Sequence, residues 1–205
     1  MLYFCKPLID YISTFIDLDM HAITKIEEYA REANFPKGSI LFSTGETARH
    51  AYFIISGHAR SYYTDYSGKT VTWLFHFNEP FSNVKNLFVV DYKIFLTDTP
   101  GTMSIEALTD LKMIKLSRHM FENENHELPA LESFMRILNE RAFVILYDKI
   151  YSLITMTATQ RYLKILKEES FLTQMFSNYY LASYLAIAPQ SLSRIRTRLV
   201  HQSSQ

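Results

Sequence analysis

Cysteine is almost absent from this chain, which has one, Cys5, among 205 residues. A single thiol cannot form an internal disulfide or supply the ligands of an iron–sulfur cluster or a zinc site. No apolar run approaches the roughly 20 residues that a membrane-spanning helix needs. The segment from Met1 to Ile16 contains Lys6, Pro7 and Asp10, unlike a secretory signal peptide. We therefore expect a cytoplasmic protein with a reduced thiol and no membrane partner.

Acidic residues are missing from the C-terminal end. The whole chain balances 21 basic against 21 acidic residues, yet no Asp or Glu follows Glu169. Arg194, Arg196 and Arg198 lie beyond that point, so this end carries a formal charge of +3. A local positive field in a neutral chain favours a partner rich in phosphate.

The segment SNYYLASYLAIAPQSLSRIRTRL, residues 177–199, has the pattern of two short helices joined by a tight turn. Leu181 and Leu185 are four apart, and the second helix repeats apolar residues at Leu192, Ile195 and Leu199. Pro189 suits the first position of a helix, because its missing N–H would be unpaired there. The spacing predicts a helix-turn-helix.

Local signals mark both the start and the turn of this unit. Ser177 can cap the first helix, while Phe176 and Leu181 have the spacing of a hydrophobic staple. Ala186 occupies the turn position where such units usually carry glycine, so a left-handed conformation there costs about 1 kcal/mol. The opposing interpretation is an ordinary helical hairpin with a solvated basic face.

The second helix has an outward face suited to DNA. With its apolar residues turned inward, the residues predicted to contact DNA are Gln190, Ser191, Arg194, Thr197 and Arg198. Glutamine pairs with adenine and arginine with guanine in the major groove, and residues near a helix N-terminus usually reach the bases.

The first half of the chain is dominated by short β-branched and aromatic runs. Asp17 and Asp19 both offer N-caps for a helix that is predicted to run to about Arg31, and strands then follow at 40–42, 51–55, 59–64, 70–77, 103–108 and 111–116. Gly-containing and polar pairs separate the runs. This pattern predicts an antiparallel roll or sandwich, with a more helical insert at 83–96.

A long helix is predicted from about Leu128, and its apolar residues occupy more than one face. One face can cover the roll and the other can meet a second copy in a parallel dimer. The predicted dimer residues are Leu131, Phe134, Leu138, Ala142 and Ile145. The alternative is a core helix of a monomer. A capping box at 157–160 opens the next helix.

The order of roll, long helix and helix-turn-helix resembles the Crp/Fnr family of bacterial transcription regulators over essentially the whole chain. The stretches that carry the resemblance are FPKGSILFSTGE, AYFIISGHAR, SIEALTD, TQRYLKIL and LASYLAIAPQSLSRIR. It implies an α+β fold with a sensor roll at 1–126, an antiparallel double-stranded β-helix of jelly-roll type. It also implies a dimerisation helix at 127–155 and a DNA-binding domain at 156–205.

The family resemblance further implies a homodimer that reads successive major grooves of a partly palindromic site and works with RNA polymerase. By match to the motif, Gln190, Ser191 and Arg194 would face bases and Arg198 a backbone phosphate. Because the sequence ends soon after the second helix, we expect any winged-helix hairpin before it, at 171–176.

The effector site departs from the family pattern. Members that bind a cyclic nucleotide carry a Gly-Glu pair for the ribose and an Arg followed by Ser or Thr for the phosphate. Here the matching stretches read Phe81-Ser82-Asn83 and Pro100-Gly101-Thr102. A buried phosphodiester needs a cation or several donors, so we predict no physiological cyclic-AMP binding. An apolar pocket for an unknown effector would use Tyr62, Trp73, Phe75, Phe81, Ser82, Asn83 and Thr102.

Two other function classes remain to be weighed. A ligand-binding or protein-interaction module that has lost DNA reading fits the roll but not the arginine-bearing face. An enzyme is not expected, because no nucleophile, base and orienting group cluster in the sequence. The seven histidines lack the spacing of a metal site, so neither a metal nor another cofactor is predicted.

Overall fold

The computed structural model describes residues 3–47, 50–97, 99–118, 120 and 129–203. The chain divides into two compact units. The first unit joins Met1–Ser61 with Leu74–Val144, and the second joins Tyr62–Trp73 with Ile145–Gln205. The three-part division predicted from the sequence stays a prediction.

Eight antiparallel strands build the roll, and the predicted fold of this half is confirmed. One sheet has the order β1-β8-β3-β6 and the other β2-β7-β4-β5. The strands are β1 (Ala30–Phe35), β2 (Ile40–Phe42), β3 (His50–Ser56), β4 (Ala59–Thr64), β5 (Thr70–His76), β6 (Phe88–Val89), β7 (Ser104–Ala107) and β8 (Leu111–Ser117). Six of these coincide with the predicted runs to within one or two residues.

Strand β1 lies partly where the sequence predicts helix. Helix α2 (Met20–Tyr29) begins as expected, with the Asp19 carboxylate accepting the Ala22 N–H at 2.7 Å, but it ends before Arg31. The chain then pairs residue by residue with β8, from Ala30 opposite Leu116 to Phe35 opposite Leu111. Pairing with β8, some eighty positions away in the sequence, makes this segment a strand. Local periodicity does not reveal such a distant partner.

The insert at 83–96 is mixed rather than helical throughout. It holds α3 (Val84–Leu87), strand β6 and α4 (Tyr92–Thr97). Asn83 begins α3 through a capping box with Asn86. Strand β6 pairs with β3, with Val89 opposite Tyr52, so the middle of the insert belongs to the sheet.

An aromatic cluster joins the roll to two helices within the first unit. Helix α1 (Lys6–Ser13) carries Tyr11, whose ring meets those of Phe53, Phe88 and Phe134 at centroid distances of 5.6, 5.9 and 6.5 Å. Phe134 belongs to the long helix α5 (Pro129–Thr155). Cys5, just before α1, is buried, and burial raises the pKa of its thiol to about 11. It is an inert part of this core.

Helices make up the rest of the second unit. After α5 follow α6 (Ala158–Glu168), α7 (Leu172–Met175), α8 (Asn178–Tyr184) and α9 (Pro189–Ser203). The predicted capping box of α6 is present, with Thr157 Oγ1 accepting the Gln160 N–H and Gln160 Oε1 accepting the Thr157 N–H. No helix in the described part of the chain is long and apolar enough to cross a bilayer.

Candidate nucleic-acid interface

Helices α8 and α9 pack around a small apolar core. Leu181 and Leu185 of α8 and Leu192 and Ile195 of α9 are all buried. The backbone of Ser177 has the conformation of an N-cap, but its side chain accepts no capping hydrogen bond, so only part of the predicted cap is present. Phe176 and Leu181, at the predicted staple positions, are both buried. The two helices therefore hold each other through the residues that the spacing indicated.

The turn between the helices closes through a Schellman motif. The Ile187 N–H donates to the Ala182 carbonyl and the Ala186 N–H to the Ser183 carbonyl, both at 3.0 Å. Ala186 has a φ of +55°, as the sequence predicts. The motif satisfies carbonyls that would otherwise end α8 unpaired. Its sharp turn delivers Pro189 directly to the start of α9.

The residues predicted to contact DNA lie on the outer side of α9. Gln190, Arg194, Thr197 and Arg198 are exposed, whereas Ser191 is half-buried. The Arg194 Nε contacts the Gln190 carbonyl only at 3.4 Å, so the guanidinium is weakly held. The face thus presents amide, hydroxyl and guanidinium groups, which are the groups that read base edges and phosphates.

Arg196 has a different task from its two neighbours. Its Nη1 donates to the Asn178 Oδ1 at 2.5 Å and so ties α9 to the first turn of α8. Arg196 is exposed like Arg194 and Arg198, but its guanidinium is engaged by this contact. The sequence predicted the positive charge of this end, but not the contact between Arg196 and Asn178.

Arg161 of α6 braces the helix pair from behind. Its Nη2 donates to the Leu185 carbonyl at 2.9 Å and its Nη1 to the Met156 carbonyl at 2.7 Å. Leu185 is the C-cap of α8, immediately before the turn. Sequence reasoning missed this residue, since an arginine in a capping-box helix normally signals only a solvated face.

The residues predicted to form the dimer interface lie largely inside the single chain. Within the single chain Leu131, Phe134, Leu138 and Ala142 are buried, and Ile145 is half-buried. Phe134 belongs to the aromatic cluster of the roll, and Leu138 lines an apolar cavity with residues of β3, β6 and β8. These side chains are used inside the chain because the roll, rather than a partner, covers that face of α5.

The residues expected to line an effector pocket are divided between the two units of the chain. Tyr62 and Trp73 belong to the second unit, whereas Phe75, Phe81, Ser82, Asn83 and Thr102 belong to the first. Ser82 Oγ accepts the Glu79 N–H at 2.8 Å, and Asn83 Oδ1 accepts the Lys85 N–H at 3.1 Å. Phe75 is fully buried, and Phe81 is exposed. Ser82 and Asn83 therefore accept hydrogen bonds from the backbone of their own turn.

Two further sequence expectations can be compared with the structure. Residues 171–176, where a wing hairpin was expected, instead contain helix α7, because four successive residues close helical hydrogen bonds such as Phe176 N–H to the Leu172 carbonyl. The prediction of a hairpin there is wrong. Among the described residues, no three His, Cys, Asp or Glu side chains come together as metal ligands.

One family model matches the roll. Residues 32–124 match the cyclic nucleotide-binding domain. None of the curated proteins matches the chain.

Solved structures share the fold of nearly the whole chain. The c-di-GMP responsive global regulator CLP of Xanthomonas campestris is 14% identical over 90% of this chain and 93% of its own, with a TM-score of 0.70. A transcriptional regulator of the Crp/Fnr family from Eubacterium rectale is 15% identical over 90% and 85%, with a TM-score of 0.68. FixK2 of Bradyrhizobium japonicum is 18% identical over 85% and 86%, with a TM-score of 0.66.

The domain model that matches residues 32–124 and the fold of the solved structures therefore indicate the same architecture. The resemblance of this chain to the Crp/Fnr transcription regulators is confirmed.

Proposed function

We propose that the protein is a sequence-specific DNA-binding transcription regulator of Crp/Fnr type, acting as a homodimer in the cytoplasm together with RNA polymerase. The observation that carries this proposal is the outer face of α9, where Gln190, Arg194 and Arg198 are exposed beside a buried apolar face. In this reading α8 and α9 form a helix-turn-helix, and α9 enters the major groove. The regulators that share the fold support it.

The homodimer is supported by an apolar stripe on the later half of α5. Phe143, Tyr147, Ile150 and Ile154 are exposed, Ile154 by 78%, and Tyr151 lies beside them. Their spacing of four, three and four residues is that of a coiled-coil seam. An apolar stripe of this size on a helix favours a partner, and a second copy placed symmetrically would cover it with the same residues. They lie on the same helix as the set predicted from the sequence.

The roll is the proposed sensor of an effector whose identity is open. The domain family that residues 32–124 match is named for cyclic nucleotide binding. The residues that would hold the ribose and phosphate are replaced here by Phe81-Ser82-Asn83 and Pro100-Gly101-Thr102. We therefore keep the proposal that cyclic AMP is not the effector. A relative without its effector cassette could bind DNA constitutively or respond to another ligand.

The proposed function is tested by selecting bound duplexes from a random pool, at two salt concentrations, with the wild type and with Arg194→Ala. We expect an enriched, roughly palindromic motif whose half-sites lie about one helical turn apart. If Arg194 reads guanine, the variant should lose about 1–3 kcal/mol of discrimination at one position of each half-site.

The matched control is Arg136→Ala, which removes an exposed arginine of α5 paired with Glu140. It should leave the selected motif unchanged. If nothing is enriched, or if binding is salt-labile and indifferent to Arg194, the protein is instead a ligand-binding or interaction module that does not read DNA.

A further inference from the structure

The second unit contains a β-hairpin as well as helices. Its residues Tyr62–Trp73 are the outer parts of β4 and β5 with their turn. Strand β5 lies at the edge of its sheet, so one side of its backbone has no strand partner. On such an edge the carbonyl of one residue and the N–H of the residue two positions later point the same way. Buried groups of this kind require a hydrogen-bond partner from elsewhere.

Ser183 of α8 supplies that partner. Its Oγ accepts the Thr72 N–H at 2.9 Å and the Thr72 Oγ1–H at 3.0 Å, and it donates to the Thr70 carbonyl at 2.9 Å. Thr72 is completely buried, and Ser183 is only 6% exposed. A hydroxyl has one donor and two acceptor sites, so this serine is fully used. One side chain of α8 takes the place of a neighbouring strand.

Trp73 and Tyr184, which follow Thr72 and Ser183 in the sequence, form a second contact through Lys149. Lys149 Nζ lies 3.5 Å from the centroid of the Tyr184 ring and 5.4 Å from that of the Trp73 ring. Both distances are within the range of a cation–π interaction. Tyr184 follows Ser183 on α8, and Trp73 follows Thr72 on β5. Two consecutive residues of the hairpin and two of α8 are thus joined side by side.

We infer that Ser183 is a positioning residue for DNA binding, which fixes α8 to the edge of the β4–β5 hairpin. This inference rests on the proposed function. Because α8 and α9 share one core and one Schellman turn, the position of α8 sets the position of the reading face on α9. The hairpin is therefore a structural part of the DNA-binding unit. Its two strands continue into the first unit through Ser61 and Leu74.

The test compares hydroxyl removal with hydroxyl retention at the same sites. Thr72→Val keeps the side-chain shape but removes the hydroxyl, and Ser183→Ala removes all three hydrogen bonds. Both should weaken binding to the selected duplex by about tenfold or more. Thr72→Ser, which keeps the hydroxyl, should bind within about twofold of the wild type, and so should Thr64→Val, at an exposed threonine of β4. Wild-type affinity in both Thr72→Val and Ser183→Ala would overturn the inference.

Hydrogen exchange without DNA tests the contact itself. The Thr72 amide should exchange at least about tenfold faster in Ser183→Ala than in the wild type, because it loses its acceptor. Unchanged protection would show that the contact is not made in solution and would also overturn the inference. If the wild type binds no duplex, the proposed function fails and the positioning role fails with it. That outcome differs from a variant that binds as tightly as a wild type shown to bind DNA.

Discussion

The guanidinium of Arg161 donates to the main-chain carbonyl of Leu185, with 2.9 Å between Nη2 and the oxygen. Leu185 closes α8, so this hydrogen bond holds helix α6 to the point where the chain turns toward α9. A second bond from the same guanidinium to the Met156 carbonyl, at 2.7 Å, fixes its orientation. A planar group with several donors can serve two carbonyls at once, which lysine cannot do with the same geometry.

Replacing Arg161 with methionine should destabilise the protein. The variant keeps the aliphatic stem but loses two charge-assisted hydrogen bonds, so the free energy of unfolding should fall by about 1–3 kcal/mol. Urea unfolding measures the change. The control Arg136→Met removes an exposed arginine that pairs with Glu140 one turn away, and should lower it by less than about 0.5 kcal/mol. Equal effects of the two variants would contradict the bracing role.

Glycine at position 186 should stabilise the turn. Ala186 has a φ of +55°, a region that disfavours residues with a Cβ by about 1–2 kcal/mol. Glycine relieves this strain but adds freedom to the unfolded chain, so we expect a net gain of up to about 1 kcal/mol for Ala186→Gly. Comparison of the thermal unfolding of Ala186→Gly with that of the wild type measures the gain. A loss of stability in Ala186→Gly would show that the backbone of Ala186 is not strained.

Sequence patterns predicted the elements that depend on near neighbours. The capping box at Thr157, the left-handed residue Ala186 and the alternating strands follow from side chains within a few positions. What could not be predicted depends on distant partners. Strand β1 is decided by β8, and the roll selects which apolar residues of α5 it covers. The contact between Ser183 and Thr72 joins two residue types that are common on surfaces, so neither one signals it.

A charge in the stripe of α5 should prevent dimerisation. Ile150→Glu places a carboxylate in the middle of the proposed seam, where it would be desolvated against its own symmetry mate. We expect a monomer by analytical ultracentrifugation at concentrations where the wild type is a dimer. Asp148→Lys, at an exposed position off the stripe, should stay dimeric. A dimeric Ile150→Glu would place the interface elsewhere.

Cyclic AMP should not bind in the physiological range. The oxygens of Ser82 and Asn83 accept hydrogen bonds from backbone N–H groups of their own turn, and the acidic residue and arginine of the family cassette are replaced. A phosphodiester entering the roll would lack those partners. Calorimetric titration should show no saturable heat at micromolar ligand. A dissociation constant in the micromolar range or tighter would contradict this prediction.

Acid should destabilise the protein through His76. This side chain is buried in the roll, with Nε2 placed 3.1 Å from Ser61 Oγ, and burial lowers its pKa from 6.5 to about 4. Between these two values the unfolded chain binds a proton that the folded chain does not, so stability rises with pH across this window and is fully present above pH 6.5. At its steepest the slope from one such histidine is about 1.4 kcal/mol per pH unit.

The share of His76 can be separated by mutation. Burial also lowers the pKa of His50 to about 4 and lowers that of His58, so the wild-type slope contains all three residues. Between pH 4.5 and 7, the unfolding free energy of His76→Gln should depend less steeply on pH, because about one proton fewer is taken up on unfolding. This difference in slope does not depend on the absolute stability of the variant. A wild-type slope in His76→Gln would mean that His76 is not held neutral by the roll, and that the buried pair with Ser61 opens in solution.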